Sequence, residues 1–578
     1  MERTEEMNVI DIFSGGGGLT EGFVMAGYKI IAHVEKDKWA CETLKTRIMF
    51  HFLKEKNDLK SYNKYIKMSS DYREVDKNRE FIYKKYPELK EKINYEVLNY
   101  TFGDPKEDNE STDITEIIES IKKSMIFNKV KDIDLIIGGP PCQAYSLVGR
   151  GVMKDKVEND KRNYLFRYYK EIVKQFSPKM FVFENVPGII TAKKGSILTA
   201  IIEEFKEIGY TLLSGDSKNI KDNVIDCSKL NIPQTRKRVI LFGFKSELNY
   251  DYPNIKEYKY EFDDITTRAV IGDLPKRKAG EGSYGEILNY PKVEKLTDYQ
   301  KYIRKDSFGV FLHQTRKHNN RDLMNYHDVI LGKSKGKKIM YTDLPNDRRT
   351  HKNEEAFLDR YNVHWWDDIP HTILAHLAKD GHYNIHPDIN QCRSLTVREA
   401  ARIQTFPDNY FFEGPRTAQF LQVGNAVPPL LGYMIAKAIK NIRDKKKHKI
   451  NKYAQIAVNT TKYIIKNGGN PVEIWTKQAK LIFKPESSSI KKVCPKNTFL
   501  GLCEEGLIKG IPAGKYTKSI KNKGYALKAI EILKNNKSLI NKPNEIWIMI
   551  NGKEKKSNSQ MEVVCELYKH GLLNITYK

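Results

Sequence analysis

Cysteine is scarce in this chain, and no two cysteines stand in the C-x-x-C spacing of a zinc site. Seven cysteines are scattered over 578 residues, and a sparse, odd set predicts reduced thiols in a cytoplasm rather than a disulfide framework. We therefore expect no structural metal. Runs of about eighteen apolar residues are also missing, so no membrane-spanning helix is expected. The opening residues, MERTEEMNVI, lack the apolar stretch of a signal peptide.

Negative charge is in the minority. The chain has 73 acidic and 99 basic residues, a formal net charge of +26. An excess of this size is unusual for an enzyme of small metabolites and favours a polyanionic partner, most commonly nucleic acid. A lysine-rich bias from an AT-rich genome would give the same composition. At this length we expect two to four domains.

The glycine-rich stretch near the start lacks the spacing of the dinucleotide-binding fingerprint. Residues 7–13 predict a buried strand, and Ser14–Leu19 follows with four successive glycines before a predicted helix. Such glycines let a ligand approach the backbone, and the helix directs N–H groups at it. Neither Gly15 nor Gly16 has the glycine that G-x-G-x-x-G requires at its sixth position. An NAD or flavin oxidoreductase is therefore disfavoured.

Two acids stand where predicted strands end. Glu35 follows the strand Lys29–Val34, a place suited to binding ribose hydroxyls, so a nucleoside-bearing cofactor other than NAD is favoured. Glu184 follows the strand Lys179–Phe183 and is a candidate proton donor. Solvated or structural carboxylates are the alternatives at both positions.

Cys142 lies in the most distinctive loop of the sequence. The apolar run 132–139 predicts a buried strand, and Pro140 and Pro141 then stiffen the turn that leads to Cys142. A thiol held in this way can act as a nucleophile. The alternative is an inert buried cysteine.

Arg236 and Arg238 alternate on a predicted extended segment. Their side chains should point the same way, which suits a phosphate or a base edge. A solvated basic strand edge is the alternative.

Taken together, these motifs resemble those of the DNA (cytosine-5) methyltransferases. DIFSGGGGLTEGF, GGPPCQAYS, FENVPG and IPQTRKRV occur in that family's order. Residues 393–407 are similar to its ninth motif, and residues 422–429 are similar to its tenth. The resemblance covers about residues 7 to 440, and six motifs in order make chance a negligible explanation.

The resemblance implies an α/β fold: a Rossmann-like, S-adenosylmethionine-dependent methyltransferase domain with a smaller target-recognition domain. We expect the catalytic domain over 1–250, with a solvated helical insertion at 45–110. The target-recognition domain would occupy 251–390, and 391–445 would return to the catalytic domain. A further lysine-rich α+β domain would cover 450–578.

The resemblance also implies roles for individual residues in catalysis. Cys142 would attack C6 of a cytosine flipped out of the duplex, and Glu184 would protonate N3. Arg238 would hold the flipped base, while Arg236 would support the base and the backbone.

S-adenosyl-L-methionine is the implied cofactor. In the family, an acid followed by isoleucine contacts adenine, and Asp113-Ile114 is the best match to that pair. Gly103-Asp104 is a competing match. Lys36 stands where the family often has tryptophan. The residues implied to bind the cofactor are Phe13, Ser14, Gly15, Gly16, Gly18, Leu19, Glu35, Asp113, Ile114, Pro140, Leu165 and Asn425.

The implied substrate is double-stranded DNA in a bacterial cytoplasm, at the nucleoid. Gln234, Arg316 and Arg321 are the predicted DNA contacts, because amide and guanidinium groups suit the major groove. We expect a monomer and a genetically linked restriction endonuclease. A tRNA cytosine-5 methyltransferase and an inactive DNA-binding homologue are the rival interpretations; the length of 251–390 favours DNA over tRNA.

The last part of the chain carries no recognised catalytic motif. Residues 451–578 contain 23 Lys, 9 Glu and neither Arg nor Asp, a net charge of +14. We expect a helix at 525–533 and, from its alternating pattern, a strand at 545–550. A DNA-affinity module, a partner-binding domain and a degenerate nuclease are the possible roles. The lack of arginine disfavours specific base reading.

Overall fold

The computed structural model divides into two compact units, Met1–Ile442 and Arg443–Lys578. It describes residues 6–141, 165–213, 224–248, 250–350, 358–447, 451–483, 486–536, 539–540, 542–552, 555 and 557–574.

The first unit is built on one twisted sheet in the order β3-β2-β1-β4-β5-β8-β6, with β7 paired to β8. Strands β3, β2, β1, β4 and β5 are parallel, and β8 runs antiparallel to β5, β6 and β7. The predicted Rossmann-like α/β class is confirmed. The strands are β1 Asn8–Ile12, β2 Lys29–Glu35, β3 Val97–Asn99, β4 Leu135–Gly138, β5 Met180–Asn185, β6 Tyr210–Leu213, β7 Val224–Asp226 and β8 Lys237–Lys245.

Apolar residues on both faces of the central strands explain why this sheet is buried. In β5, Phe181 and Phe183 enter one apolar cluster, while Met180 and Val182 enter another. Helices cover both faces, as a parallel sheet requires. The helices that begin in this unit are α1 Gly18–Met25, α2 Lys38–Glu55, α3 Leu59–Met68, α4 Val75–Lys85, α5 Pro87–Glu96, α6 Ile114–Phe127, α7 Leu165–Phe176, α8 Ser196–Glu207, α9 Thr267–Ile271, α10 Asp298–Ile303, α11 Asn320–Ser334, α12 Val397–Ile403, α13 Arg416–Asn425 and α14 Pro429–Lys447.

The segment 45–110 contributes to the core rather than standing in solvent. It holds most of α2, all of α3 to α5, and the edge strand β3. Tyr62 and Tyr65 are buried in a cluster shared with residues 270–312 and 395–426, and the Arg79 side chain is fully buried against Glu42. The expectation of a solvated excursion is therefore wrong. Several tyrosine hydroxyls and charges of this segment have buried partners, for example Tyr65 Oη and Glu413 Oε1 at 2.6 Å.

The region 251–390 has few regular elements and is held together by buried polar side chains. His313 contacts Thr396 Oγ1 at 2.9 Å and the Pro275 carbonyl at 2.8 Å. His364 and His371 stack with their ring centroids 3.6 Å apart. Burial lowers the pKa of His313 and of His371 to about 4, so both rings are neutral.

The second unit is helical throughout its described residues, with one isolated bridge between Ile508 and Leu573. The predicted helix at 525–533 lies inside α18. The strand predicted at 545–550, and with it the α+β class of this domain, is wrong: these residues form α19. Pro543 fits the first turn of that helix and Gly552 ends it with a positive φ of 77°. The helices are α15 Lys452–Asn467, α16 Pro471–Ile482, α17 Val493–Glu504, α18 Ile520–Asn535, α19 Pro543–Asn551 and α20 Gln560–Lys569.

Candidate active site

Among the described residues, five of the predicted catalytic and cofactor residues lie at one edge of the sheet. Because β1, β2, β4 and β5 are parallel, Phe13, Glu35, Pro140 and Glu184 all stand at their carboxyl ends. Strand β8 runs the opposite way, so its first residues, including Arg238, lie at the same edge. Open α/β sheets bind ligands at this edge.

Glu184 and Arg238 form an ion pair there. Arg238 Nε lies 2.6 Å from Glu184 Oε1, and both side chains are largely buried at 11% and 13% exposure. Arg238 Nη1 donates to the Lys237 carbonyl. The strand register explains the pair, because Glu184 is opposite Ile240 and Asn185 is opposite Val239. The arginine thus orients the carboxylate and keeps a positive charge beside it.

Gly139 leaves room for the Glu184 carboxylate. A Cβ at position 139 would lie 2.5 Å from Glu184 Oε2, closer than van der Waals contact permits. The next residue, Pro140, is buried, and its carbonyl accepts a hydrogen bond of 3.2 Å from Asn185 Nδ2. Two bonded strand ends therefore fix the start of the loop. Cys142 itself lies outside the described residues.

The side chains of Arg236 and Gln234 are buried and bind groups inside the protein. Both side chains have 0% exposure. Arg236 donates to the carbonyls of Ile373 (2.9 Å) and Gly424 (3.2 Å). The Gln234 amide bonds to the Ile403 carbonyl, the Gln404 side chain and the Ile373 N–H. Arg236 thus binds main-chain carbonyls of two distant segments. The Gln234 amide is fully used by protein partners and is not exposed for contact with DNA.

Glu35 closes the glycine loop from the end of β2. Its Oε2 accepts the Gly15 N–H at 2.7 Å, and its Oε1 accepts the Asp37 N–H at 2.8 Å. Burial raises the pKa of Glu35, and these backbone N–H bonds oppose the rise. Phe13 takes a left-handed φ of 56°, and a Cβ at Gly15 would meet nothing within 4 Å. Among the described residues, the loop therefore has an open side at Gly15, next to a carboxylate.

The chain returns after residue 400 to pack on the other side of the loop. Tyr410 Oη donates to the Gly16 carbonyl at 2.7 Å from a fully buried position. A Cβ at Gly16 would lie 3.0 Å from Gln422 Cβ, and one at Gly18 would lie 2.2 Å from the Val427 carbonyl oxygen. Gly16 and Gly18 are thus required for close packing. Sequence reasoning assigned no role to Tyr410 or Gln422, although Tyr410 follows the ninth motif closely and Gln422 begins the tenth.

An apolar wall stands beside this loop. Phe13, Ile114 and Leu165 are partly buried against the same cluster, and the Phe13 and Phe102 rings lie 4.7 Å apart. A bridge pairs Phe102 with Thr112. Both candidate segments for adenine, 103–104 and 113–114, therefore lie side by side at this wall. The Asp113 side chain caps α6 by accepting the Thr115 N–H at 2.7 Å.

The remaining predicted cofactor residues differ in exposure. Ser14 is buried and donates to the Asp11 carbonyl, and Leu19 is buried in the core beneath α1. Asn425 is exposed at the end of α13.

Of the three predicted DNA contacts, Arg321 is exposed, whereas Arg316 donates to the carbonyls of Leu377, Ala378 and Lys379.

Metal ligands and membrane-spanning helices are both absent from the described residues. These residues contain no group of three or more His, Cys, Asp or Glu side chains placed to hold a metal ion. Within that same portion of the chain, no helix combines the length and apolarity needed to cross a membrane.

The sheet, the glycine loop under a strand-end acid, and the Arg238–Glu184 pair together define an α/β enzyme that acts at one sheet edge. Residues 7–76 and 96–441 match the family described as C-5 cytosine-specific DNA methylase. Residues 450–574 match a family of unknown function (DUF6979). The chain therefore belongs to the C-5 cytosine-specific DNA methylase family and is a DNA (cytosine-5) methyltransferase, as its motifs predicted.

Two relatives of the chain are named as Type II methyltransferases. It is 55% identical over 440 residues to the Type II methyltransferase M.Bpa9945I of Bacillus paralicheniformis, covering 75% of this chain and 99% of that protein. It is 32% identical to the Type II methyltransferase M.DdeI of Desulfomicrobium norvegicum, covering 75% and 88%. A crystal structure of a proposed prophage-encoded DNA modification methyltransferase (E. coli) is 20% identical, with a TM-score of 0.49 over 76% of this chain and 100% of that one.

Proposed function

We propose that the enzyme methylates C5 of a cytosine flipped out of duplex DNA, using Cys142 as nucleophile and Glu184 and Arg238 as its partners. The observation that carries this proposal is the Arg238–Glu184 ion pair, packed against Gly139 three residues before Cys142. Arg236 is assigned a positioning role behind that pair, because both of its bonded carbonyls belong to distant segments.

The residue types match what the reaction demands. A thiolate adds reversibly to C6 of the conjugated ring, which gives C5 the electron density to accept a methyl group. The ring resists this addition unless N3 is protonated or hydrogen-bonded, a task for the Glu184 carboxyl. Arg238 orients that carboxyl and presents further N–H donors to the base. Loss of the C5 proton and expulsion of the thiolate then complete the turnover.

The open side of the glycine loop fits S-adenosyl-L-methionine, which supplies the methyl group as an electrophile. Glu35 keeps acceptor capacity for ribose hydroxyls, because each carboxylate oxygen can accept more than the single N–H that it binds. The partly buried side chains of Phe13, Ile114 and Leu165 form an apolar wall suited to adenine. Asn425 is exposed at the end of α13 and is the last of the residues proposed to bind the cofactor.

Duplex DNA would be read by the region 251–390, which we assign as the target-recognition domain. Arg321 is the predicted contact that is exposed. Arg316 is assigned instead to holding the turn 377–379. Extruding one base costs a few kcal/mol, which contacts in the pocket must recover.

The names of the relatives suggest a role in a Type II restriction–modification system. We propose that the protein marks the sites that a genetically linked endonuclease would otherwise cut, in a bacterial cytoplasm and at the nucleoid. We further propose that the enzyme acts as a monomer.

One assay tests this function. The purified enzyme is incubated with labelled S-adenosylmethionine and either genomic DNA or tRNA, and the DNA is then sequenced after bisulfite treatment. Label in DNA, at cytosines of one recurring sequence, is the expected result. Label in tRNA alone would replace the proposal with the tRNA reaction, and no label in either would indicate an inactive homologue.

A further inference from the structure

An open pocket of about 500 Å³ lies in the second unit, between α16, α17 and the loop that leads into α18. Its lining includes Lys496 and Lys518, the polar side chains of Asn497 and Ser519, and an apolar floor with Leu500. Among the described residues that line it, none is acidic. The pocket is therefore positive, with hydrogen-bond donors at its rim.

Lys496 is half-buried in this pocket, and no acidic residue in the described part of the chain pairs with it. Its Nζ donates to the neutral Thr476 hydroxyl at 3.1 Å. Desolvation lowers its pKa, with no charged group acting in the other direction. A partly desolvated ammonium of this kind gains free energy when an anion binds next to it.

The two acids that precede the loop of Lys518, Glu504 and Glu505, are both paired. Glu504 Oε1 accepts the N–H groups of Tyr516 and Thr517, each at 2.7 Å. Lys523 pairs with Glu504 at 3.2 Å and with Glu505 at 2.5 Å. These interactions fix the loop that carries Lys518 and neutralise the acids. The loop is therefore fixed in place, and these two acids do not offset the positive charge of the pocket.

We propose that this pocket binds the phosphodiester backbone of DNA, and that the second unit thereby holds DNA independently of base sequence. Three observations favour nucleic acid over other anions. The unit carries +14 with lysine as its only strongly basic residue type, and lysine suits phosphates rather than base edges. The pocket exceeds one phosphate in size and has an apolar floor for a flanking sugar. The first unit belongs to a family of DNA enzymes.

The full-length double variant Lys496→Gln/Lys518→Gln tests the proposal. A matched control, Lys480→Gln/Lys528→Gln, removes the same charge from exposed lysines on α16 and α18 that do not line the pocket. Binding to a random-sequence duplex is measured from about 50 to 300 mM salt. The slope of log K against log[salt] should become shallower by about 0.9 for each phosphate that the variant no longer neutralises, in the pocket variant only. Equal changes in both variants, or none in either, would overturn the proposal.

Two further ligands test whether the pocket binds an anion other than DNA. A mononucleotide and a poly-glutamate peptide are titrated against the same proteins. If the pocket variant loses either ligand while its DNA salt slope stays that of the control, the pocket serves a metabolite or an acidic protein, and the proposal is overturned. The single variant Lys518→Gln, at an exposed position, repeats the slope test if Lys496→Gln disturbs folding. Methylation of specific DNA by the control variant reports separately on the catalytic proposal.

Discussion

Arg238 Nε lies 2.6 Å from Glu184 Oε1, across the antiparallel pair β5 and β8 at the carboxyl edge of the sheet. This pair joins the proposed proton donor to the residue proposed to hold the base. The Glu184 carboxylate packs against Gly139, which lies three residues before Cys142 in the chain. Substitutions at the pair should therefore act on the chemical step.

Glu184→Gln should slow methyl transfer far more than it weakens DNA binding. The amide can still donate a hydrogen bond to N3 but cannot transfer a proton, and such catalysis is typically worth about 10²–10⁴-fold. Single-turnover methylation and a gel-shift titration would be compared. A rate loss below about threefold would assign Glu184 a structural role.

Substitutions of Arg238 and Arg236 should have different effects on the methylation rate and on thermal stability. Arg238→Gln should lower the single-turnover rate, because its side chain lies at the edge where the base would bind. It should lower the melting temperature less than Arg236→Gln does, because the Arg238 side chain keeps 11% exposure whereas that of Arg236 has none. Arg236→Gln should lower the melting temperature, because the Ile373 and Gly424 carbonyls lose a fully buried donor. Thermal unfolding of both variants is the measurement. Similar melting temperatures for the two would contradict the assignment.

Tyr410→Phe should weaken binding of S-adenosylmethionine by about fivefold, the equivalent of one hydrogen bond of about 1 kcal/mol. The loss follows because the Gly16 carbonyl would no longer be held by the hydroxyl. Tyr210→Phe is the matched control, since it removes a buried bond to the Pro178 carbonyl at 2.6 Å, away from the loop. Calorimetric titration should separate the two variants; equal affinities would remove Tyr410 from the cofactor site.

Acidification should destabilise the first unit between about pH 6.5 and pH 4. Burial lowers the pKa of His313 and His371 to about 4, and that of His318 and His386 to about 3. In this window the unfolded chain binds protons that the folded state excludes, so stability falls as pH falls. The loss is about 1–2 kcal/mol per histidine by pH 5. A melting temperature that stays constant from pH 7.5 to pH 5 would contradict neutral histidines.

The sheet and its functional edge could be predicted from the sequence for a simple physical reason. Parallel strands are buried on both faces, so they appear as apolar runs, and the acids that end them, Glu35 and Glu184, stand out. The strand at 545–550 was mispredicted because the apparent alternation there is a nearly continuous apolar run. Such a run fits a buried helix as well as a strand.

Burial of polar side chains could not be predicted. Gln234, Arg236 and Arg316 look like DNA contacts in the sequence, yet they bind main-chain groups 61 to 188 residues away. Tyr410 and Gly16 are 394 residues apart. No local pattern carries that information, because these hydrogen bonds exist only once the chain has folded back on itself.

Covalent trapping tests the central claim most directly. Duplex DNA with 5-fluorocytosine at the methylated site is incubated with the enzyme and S-adenosylmethionine, and the products are separated under denaturing conditions. Attack by Cys142 at C6 predicts a stable protein–DNA adduct, because fluorine cannot leave C5 as a proton does, and it predicts no adduct for Cys142→Ser. Turnover on normal DNA without any adduct on the fluorinated duplex, or an adduct that persists in Cys142→Ser, would contradict the account.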